Sequence, residues 1–174
     1  MKYSISRLSE REFAESVDAL AALLADAVDD GASVGFLAPI IGDELRNWWR
    51  SLTTAVGTGQ VLIWAARAED GTPAGTIQLQ HPTKPNGRHR AEIAKLIVHR
   101  SARGRGLGRE LLAVAERTAI DTGVSLLLLD TETGSGAEQL YQSDGWTLTG
   151  IVPGYAASPD GALSACSFFH KAIG

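Results

Sequence analysis

Between an apolar, strand-like run from Ile93 to Val98 and a helix-periodic run from Glu110 to Ile120, the chain reads Arg103-Gly104-Arg105-Gly106-Leu107-Gly108. Three glycines in six positions let the backbone take positive φ and come close to a ligand. The helix predicted after them, running to Asp121 and closed near Gly123, offers free N–H groups and the positive end of its dipole. That end suits an anion, and Arg103, Arg105 and Arg109 add charge to the same turn. The run Ser125-Leu126-Leu127-Leu128-Leu129 follows, wholly apolar, as expected of a strand covered on both faces. A strand, a crossover helix and a second strand make a parallel pair, and ligands gather beyond the carboxyl ends of such strands. One stretch therefore predicts both a parallel core and a phosphate or pyrophosphate cradle at its end.

Three phosphate-binding patterns compete for that turn. A P-loop needs Gly-Lys followed by Ser or Thr, and the chain has no such triplet. A dinucleotide fingerprint needs a third glycine where Arg109 stands. Asp130 lies near the spacing of a ribose-binding acid, but too little chain follows it to complete a dinucleotide sheet. The third pattern, Arg/Gln-x-x-Gly-x-Gly/Ala, is met in order by Arg103, Gly106 and Gly108.

Ahead of this segment, Tyr3 to Arg7 alternates as a short strand, and Ser9 with Glu12 forms a capping box. Phe13, Val17, Leu20, Leu23, Leu24 and Val28 then recur at helical spacing up to Gly31. Residues 32–41 read as an irregular connector. Asp43 is placed to cap a second helix to about Val56, with Leu45, Trp48, Trp49 and Leu52 on one broad apolar face. One of the adjacent tryptophans belongs to the core. The other, assigned as Trp49, joins Phe36 of the connector as a candidate pocket wall. Gln60–Arg67, Ala74–Gln80 and Arg90–Val98, separated by turn-rich segments, predict an antiparallel meander. After the parallel pair come a polar loop from Thr131 to Gly136, a short helix from Ala137 to Ser143, a strand from Trp146 to Val152, turns at Pro153-Gly154-Tyr155 and Ser158–Gly161, and a last strand from Ala162 to His170.

A chain of 174 residues fits one domain with a good-sized core, here residues 1–174. Its net charge of −4 argues against general nucleic-acid affinity, so the arginine cluster is local. No apolar run approaches the ~20 residues of a membrane span. The residues Met1-Lys2-Tyr3-Ser4 lack the apolar core of a signal peptide, and a cytoplasmic location is expected. One cysteine, Cys166, excludes an internal disulfide and reads as packing in the last strand. His81, His89, His99 and His170 are scattered without ligand spacing, so no metal is expected.

A second signature, Ala137-Glu138-Gln139-Leu140-Tyr141 followed by Gly145-Trp146, joins the Gly/Arg turn. Together they resemble the acyl-CoA loop and the A-x-x-L-Y-x-x-x-G-F/W segment of the GNAT superfamily of acyltransferases, in the same order. Segments across the chain are similar to a narrower group, the tabtoxin-resistance acetyltransferases: Gly31 to Phe36, Lys84-Pro85-Asn86-Gly87, Arg90-Ala91-Glu92, Ser101 to Arg109, Asp130-Thr131-Glu132 and Pro153-Gly154-Tyr155. The resemblance implies an α/β mixed sheet whose antiparallel strands lead into one parallel crossover with a splayed pair. It implies acetyl-CoA as acyl donor and a small amine as acceptor, an amino-acid-like toxin or antibiotic among the classes, in a monomer or homodimer. A peptide amine or a non-catalytic acyl-CoA sensor is the alternative. It further implies that Leu96, Ile97 and Val98 pair with the pantetheine. Arg103, Gly104, Arg105, Gly106, Leu107, Gly108 and Arg109 would hold the pyrophosphate, and Ser135 would stand where many relatives carry Asn. Phe36 and Trp49 are the candidate acceptor contacts.

An alkyl amine with a pKa near ~10.4 is neutral in about one molecule in 2500 at pH 7, a deficit of about 4.6 kcal/mol. A base is therefore useful, and Glu92 and Asp130, on the two strands flanking the acceptor, are the candidates, with Glu132 as a weaker alternate. By strand alternation Glu92 shares a face with Ala94, Leu96 and Val98, which puts Lys95 on the other face. Tyr141, whose counterpart in the superfamily lies near the thioester sulfur, is the candidate acid.

Overall fold

The computed structural model describes residues 3–174; Met1 and Lys2, part of the amino-terminal segment read above, lie outside the described residues. In chain order the elements are β1 (Ser4–Arg7), α1 (Glu10–Asp29), α2 (Gly42–Ser51), α3 (Thr53–Gly57), β2 (Val61–Arg67), β3 (Pro73–Gln80), β4 (Arg90–Val98), α4 (Leu107–Asp121), β5 (Leu126–Glu132), α5 (Gly136–Ser143), β6 (Thr147–Ala157) and β7 (Leu163–Ala172). Short 3-10 turns, Pro85–Gly87 and Arg100–Ala102, flank β4. One seven-stranded sheet runs β1-β2-β3-β4-β5-β7-β6. It is antiparallel except at β4 and β5, which pair in parallel across the α4 crossover. This is the mixed sheet the sequence predicts.

Two apolar clusters sandwich the sheet. On one face α1 and α2 bury Phe13, Leu20, Leu24, Leu45 and Trp49 against Ile63, Ala65 and Ile97. On the other α4 buries Leu107, Leu111, Leu112 and Ala115 against Ile77, Ile93, Leu127 and Leu129, and Tyr141 of α5 joins them. The α1 capping box forms as predicted, with Ser9 Oγ accepting from Glu12 N–H at 3.3 Å and Glu12 Oε2 accepting from Ser9 N–H at 2.8 Å.

Four features depart from the sequence reading. The second predicted helix breaks at Leu52 into α2 and α3. There the Ser51 and Thr53 hydroxyls donate back to the carbonyls of Trp48 (2.6 Å) and Arg50 (2.7 Å), so side chains compete with the backbone ladder. Asp43 does not cap that helix: the N-cap is Ile41, and Asp43 sits in the first turn, accepting from Arg46 Nε at 3.1 Å. Strand β5 continues to Glu132 in register with β7, because polar residues at a strand end that faces a cavity look like loop residues in sequence. The predicted turn Pro153-Gly154-Tyr155 lies inside β6 as a bulge. Val152 pairs with Cys166 and Ala156 with Ser164, leaving three residues opposite Ala165. Proline without an N–H and glycine at φ 59° suit a bulge as well as a reversal. The reversal itself is made at Ser158–Gly161, where Ser158 N–H donates to Ala162 O at 2.8 Å.

Candidate active site

The parallel pairing of β4 and β5 covers only Arg90–Leu126, Ala91–Leu127 and Glu92–Leu128. Beyond Glu92 the two strands part, and among the described residues the β5-facing edge of β4 from Ile93 to Val98 has no strand partner. A cavity of about 480 Å³ opens in the gap. Its walls come from β4, β5, α5, the β6–β7 hairpin and the loop Ala32–Gly35. That loop is tied to the hairpin through Ala38 N–H, which donates to Pro159 O at 2.8 Å.

At the end of the gap lies the Gly/Arg turn. Gly104 and Gly106 adopt φ 73° and 81°, the left-handed region that glycine favours, and Gly106 is the N-cap of α4. The first intrahelical bond runs from Glu110 N–H to Gly106 O, at 3.1 Å, so the amides of Leu107, Gly108 and Arg109 precede the helical ladder. The arginines brace the turn. Arg103 Nε donates to Val98 O at 3.0 Å while its guanidinium pairs with Asp30, whose carboxyl it holds below the usual carboxylate range. Arg100 Nε donates to Asp26 Oδ1 at 2.6 Å, anchoring the same turn to the end of α1. Arg105 donates to the Tyr3 hydroxyl (3.1 Å) and Arg109 to Ser143 Oγ (2.8 Å).

Glu92, Asp130 and Tyr141 all line the cavity, so the structure brings the three sequence-predicted groups together. Burial and then the charge of Asp130 push the Glu92 carboxyl upward, against the pull of Lys95 and Arg90. Tyr141 is 5% exposed, packed by Trp146 and Phe169 at ring distances of 5.8 and 6.2 Å. Burial first, and the negative charge of Asp130 second, push its phenol well above the ordinary value. Cys166 donates its thiol to Asp130 Oδ2 (3.3 Å) and Thr131 O (3.1 Å), and burial together with Asp130 pushes it up to about 12. A thiol so held is a hydrogen-bond donor to the carboxylate rather than a nucleophile. Glu132 also faces the cavity and accepts from Ser158 Oγ at 3.1 Å. Ser135 lines the cavity as the N-cap of α5, its Oγ accepting from Glu138 N–H at 3.1 Å and standing 3.3 Å from Thr131 Oγ1.

Two placements correct the sequence reading. Lys95 is not on the far face: it lines the cavity with Glu92. Thr76 pairs with Ile97 and Gln78 with Ala94, so Lys95 and Leu96 together oppose Ile77, and Lys95 takes φ 50°. This β-bulge shifts the alternation by one residue. Ala91 and Ile93 face the α4 cluster before it, Leu96 and Val98 after it. The available signal was the lysine itself, alone in the otherwise apolar run from Ile93 to Val98. The second correction exchanges the tryptophans. Trp49 is fully buried against Phe13, at 6.3 Å between rings, and belongs to the core. Trp48 is the one that reaches toward the cavity, its ring 5.1 Å from Lys95 Nζ and edge-on to Phe36 at 5.6 Å. Phe36 thus touches the site through Trp48. Among the described residues no group of His, Cys, Asp and Glu gathers as a metal site, and no helix is long and apolar enough to cross a membrane.

A family model described as the acetyltransferase (GNAT) family matches residues 35–146. Among solved structures, the ribosomal-protein-alanine N-acetyltransferase of Brucella melitensis is similar at 24% identity and a TM-score of 0.80, covering 98% of this chain and 99% of that one. A phosphinothricin acetyltransferase of Sinorhizobium meliloti in complex with acetyl-CoA matches at 17% identity and 0.81, covering 100% and 90%. The yncA acetyltransferase of Salmonella typhimurium, solved with its cofactor acetyl-CoA, matches at 19% and 0.78, covering 100% and 95%. At these identities the likeness is one of fold.

Proposed function

We propose, because the chain belongs to the acetyltransferase (GNAT) family, that it moves an acetyl group from acetyl-CoA to the amine of a small molecule, an amino-acid-like toxin or antibiotic being the class its sequence resemblance favours. The observation that carries this is the parting of β4 and β5 at Glu92, with two carboxylates and a tyrosine around the cavity that opens there. Two of the similar structures hold acetyl-CoA.

The residues present fit that donor. The amides at the start of α4, together with the glycine backbone of the turn, supply an anion cradle for the pyrophosphate. The unpaired edge at Leu96, Ile97 and Val98 supplies main-chain donors and acceptors for the pantetheine amides. Bound there, the thioester supplies an activated acetyl group facing the cavity. The bulge at Lys95 takes β4 out of register with β3, and an amide freed in this way is suited to receive the negative charge that develops on a carbonyl oxygen.

Glu92 is the better placed base. Burial first, and the charge of Asp130 second, raise its carboxyl, which makes it a stronger acceptor of the amine proton than an ordinary carboxylate. Asp130 assists by its charge, which raises Glu92 and attracts the ammonium of the incoming acceptor. Tyr141 serves as a hydrogen-bond donor to the departing sulfur. Full transfer from an ordinary phenol (pKa ~10) to an ordinary thiolate (~8.5) is uphill by about 2 kcal/mol. The upward shift of Tyr141 widens that gap, so the phenol keeps its proton and steadies the thiolate. A cytoplasmic location suits the use of acetyl-CoA.

The test is CoA release from acetyl-CoA with amino acids, β-lactam amino acids, aminoglycosides and short peptides. Turnover selective for small amines supports the proposal. Turnover only with peptides favours a second reading, a protein amino-terminal acetyltransferase, for which the likeness to the ribosomal-protein-alanine enzyme speaks. Acetyl-CoA binding without turnover would make the chain a sensor and overturn the proposal.

A further inference from the structure

Lys95 is the only described non-glycine residue at positive φ. That conformation costs roughly 1–2 kcal/mol for a residue with a Cβ, and such strain clusters at functional sites. The bulge it forms carries the side chain off the α4 face and beneath the loop Ala32–Gly35. There Nζ lies 3.8 Å from where a Cβ on Gly35 would stand and 5.1 Å from the Trp48 ring centre. The ring is locked in place, edge-on to Phe36 and to Trp49, at 5.6 and 4.9 Å. Burial lowers the pKa of Lys95, Asp130 and Glu92 oppose that shift through charge alone, and neither hydrogen-bonds to it. An aromatic face offsets part of the cost of a half-buried ammonium while leaving its N–H donors unspent. The cavity is therefore bipolar. Carboxylates on β4 and β5 stand at one end, and a cation held on an aromatic ring stands three residues further along β4, about 10 Å of backbone away.

We propose that Lys95 is a specificity-determining residue that binds an anionic group of the acceptor, so that the molecule acetylated is an amine that also carries a carboxylate or comparable anion. The inference rests on the acetyltransferase reading and deepens it. The acceptor's anion takes hydrogen bonds from Nζ, while its ammonium lies toward Glu92 and Asp130, where the proton is removed. A protein amino terminus, whose carboxylate is replaced by an amide, does not meet both poles.

The experiment uses matched acceptors: α-amino acids with their amides, and ω-amino acids with the corresponding alkylamines. Acetylation kinetics are measured for the native chain and for Lys95→Met and Lys95→Arg. The expected result is a preference for the acid member of about 10- to 100-fold in kcat/KM, the worth of one charged hydrogen bond. It should be carried mainly by KM, collapse toward parity in Lys95→Met and be partly kept in Lys95→Arg. If Lys95→Met does not fold, Lys95→Gly, which suits the positive φ, carries the same comparison. Calorimetric titration of the same pairs in the presence of CoA reads the contact without acetyl transfer. Absence of turnover with every amine would count against the acetyltransferase reading, and loss of acid binding in Lys95→Met would still uphold the role of Lys95. Equal treatment of acid and amide by the native chain, or an acid preference that survives Lys95→Met, would overturn the role of Lys95 and leave the acetyltransferase reading standing.

Discussion

Asp130 is the residue whose charge reaches furthest in the site. It raises Glu92, Tyr141 and Cys166 and supports the charged form of Lys95. The signs give a direct test by carbon NMR of the Glu92 carboxyl. Asp130→Asn removes a negative neighbour and should lower the Glu92 midpoint toward the ordinary 4.5, whereas Lys95→Met removes a positive one and should raise it further. The base function proposed for Glu92 would be present above its midpoint and lost as pH falls through it, so the acid limb of kcat/KM should move the same way in each variant. A limb indifferent to both changes would show that another group is the base. Tyr141→Phe removes the hydroxyl proposed to donate to sulfur but keeps the ring against Trp146 and Phe169. It should lower kcat by about 10- to 100-fold, a charged hydrogen bond's worth, with little change in the affinity for acetyl-CoA measured by calorimetry.

At the scale of elements, the site depends on how closely α4 packs on β3 and β4. Gly75 on β3 makes that approach possible: a Cβ there would meet Ile97 O at 2.9 Å and Leu111 Cδ1 at 2.9 Å. One contact is backbone, so the helix or the strand must shift. Gly75→Ala should cost about 1–3 kcal/mol in denaturant unfolding and weaken acetyl-CoA binding, because α4 carries the anion cradle. A variant of native stability would mean that α4 can slide at no cost. The turn before α4 is held from the other side of the sheet by Arg100 on Asp26 and Arg103 on Asp30. The arginines that mark the turn in sequence are thus partly structural, and the backbone they orient is left to meet the ligand. At the far edge, the β6 bulge puts Tyr155 against Phe168, at 5.0 Å, and into the cavity wall.

Across the whole molecule, the sheet is two pieces joined by three parallel residue pairs, the antiparallel β1–β4 and the β5-β7-β6 unit. A ligand lying in the gap completes the join. At 100 times its dissociation constant, acetyl-CoA should add about 2.7 kcal/mol to unfolding, a rise in melting temperature of roughly 5–10 °C for a chain of this size. Differential scanning calorimetry reads this, and free phosphate should reproduce little of it. An unchanged melting temperature at saturating acetyl-CoA would show that the gap is not the binding site.

Periodicity and turn chemistry were enough to place the strands, the crossover helix, the first capping box and the Gly/Arg turn, because these depend on neighbours a few residues apart. The same local patterns located Glu92, Asp130 and Tyr141, which mark strand ends and a short motif. What local patterns could not supply was any feature set by a distant partner. The bulge that swings Lys95 into the cavity exists because β4 must match β3 across Ile77, and no alternation within β4 encodes it. Trp48 and Trp49, about 100° apart on a helical wheel, both fall within one broad apolar face, and the packing of α1, with Phe13 against Trp49, decides which is core. The thiol of Cys166 meets Asp130 because β7 lies beside β5, 36 residues apart in sequence. The sequence by itself determined most of the elements and pointed to Glu92, Asp130 and Tyr141, which line the cavity. Tertiary structure alone decided which side chains share the cavity and with what charge, since desolvation and Coulomb energy depend on distances that only packing sets.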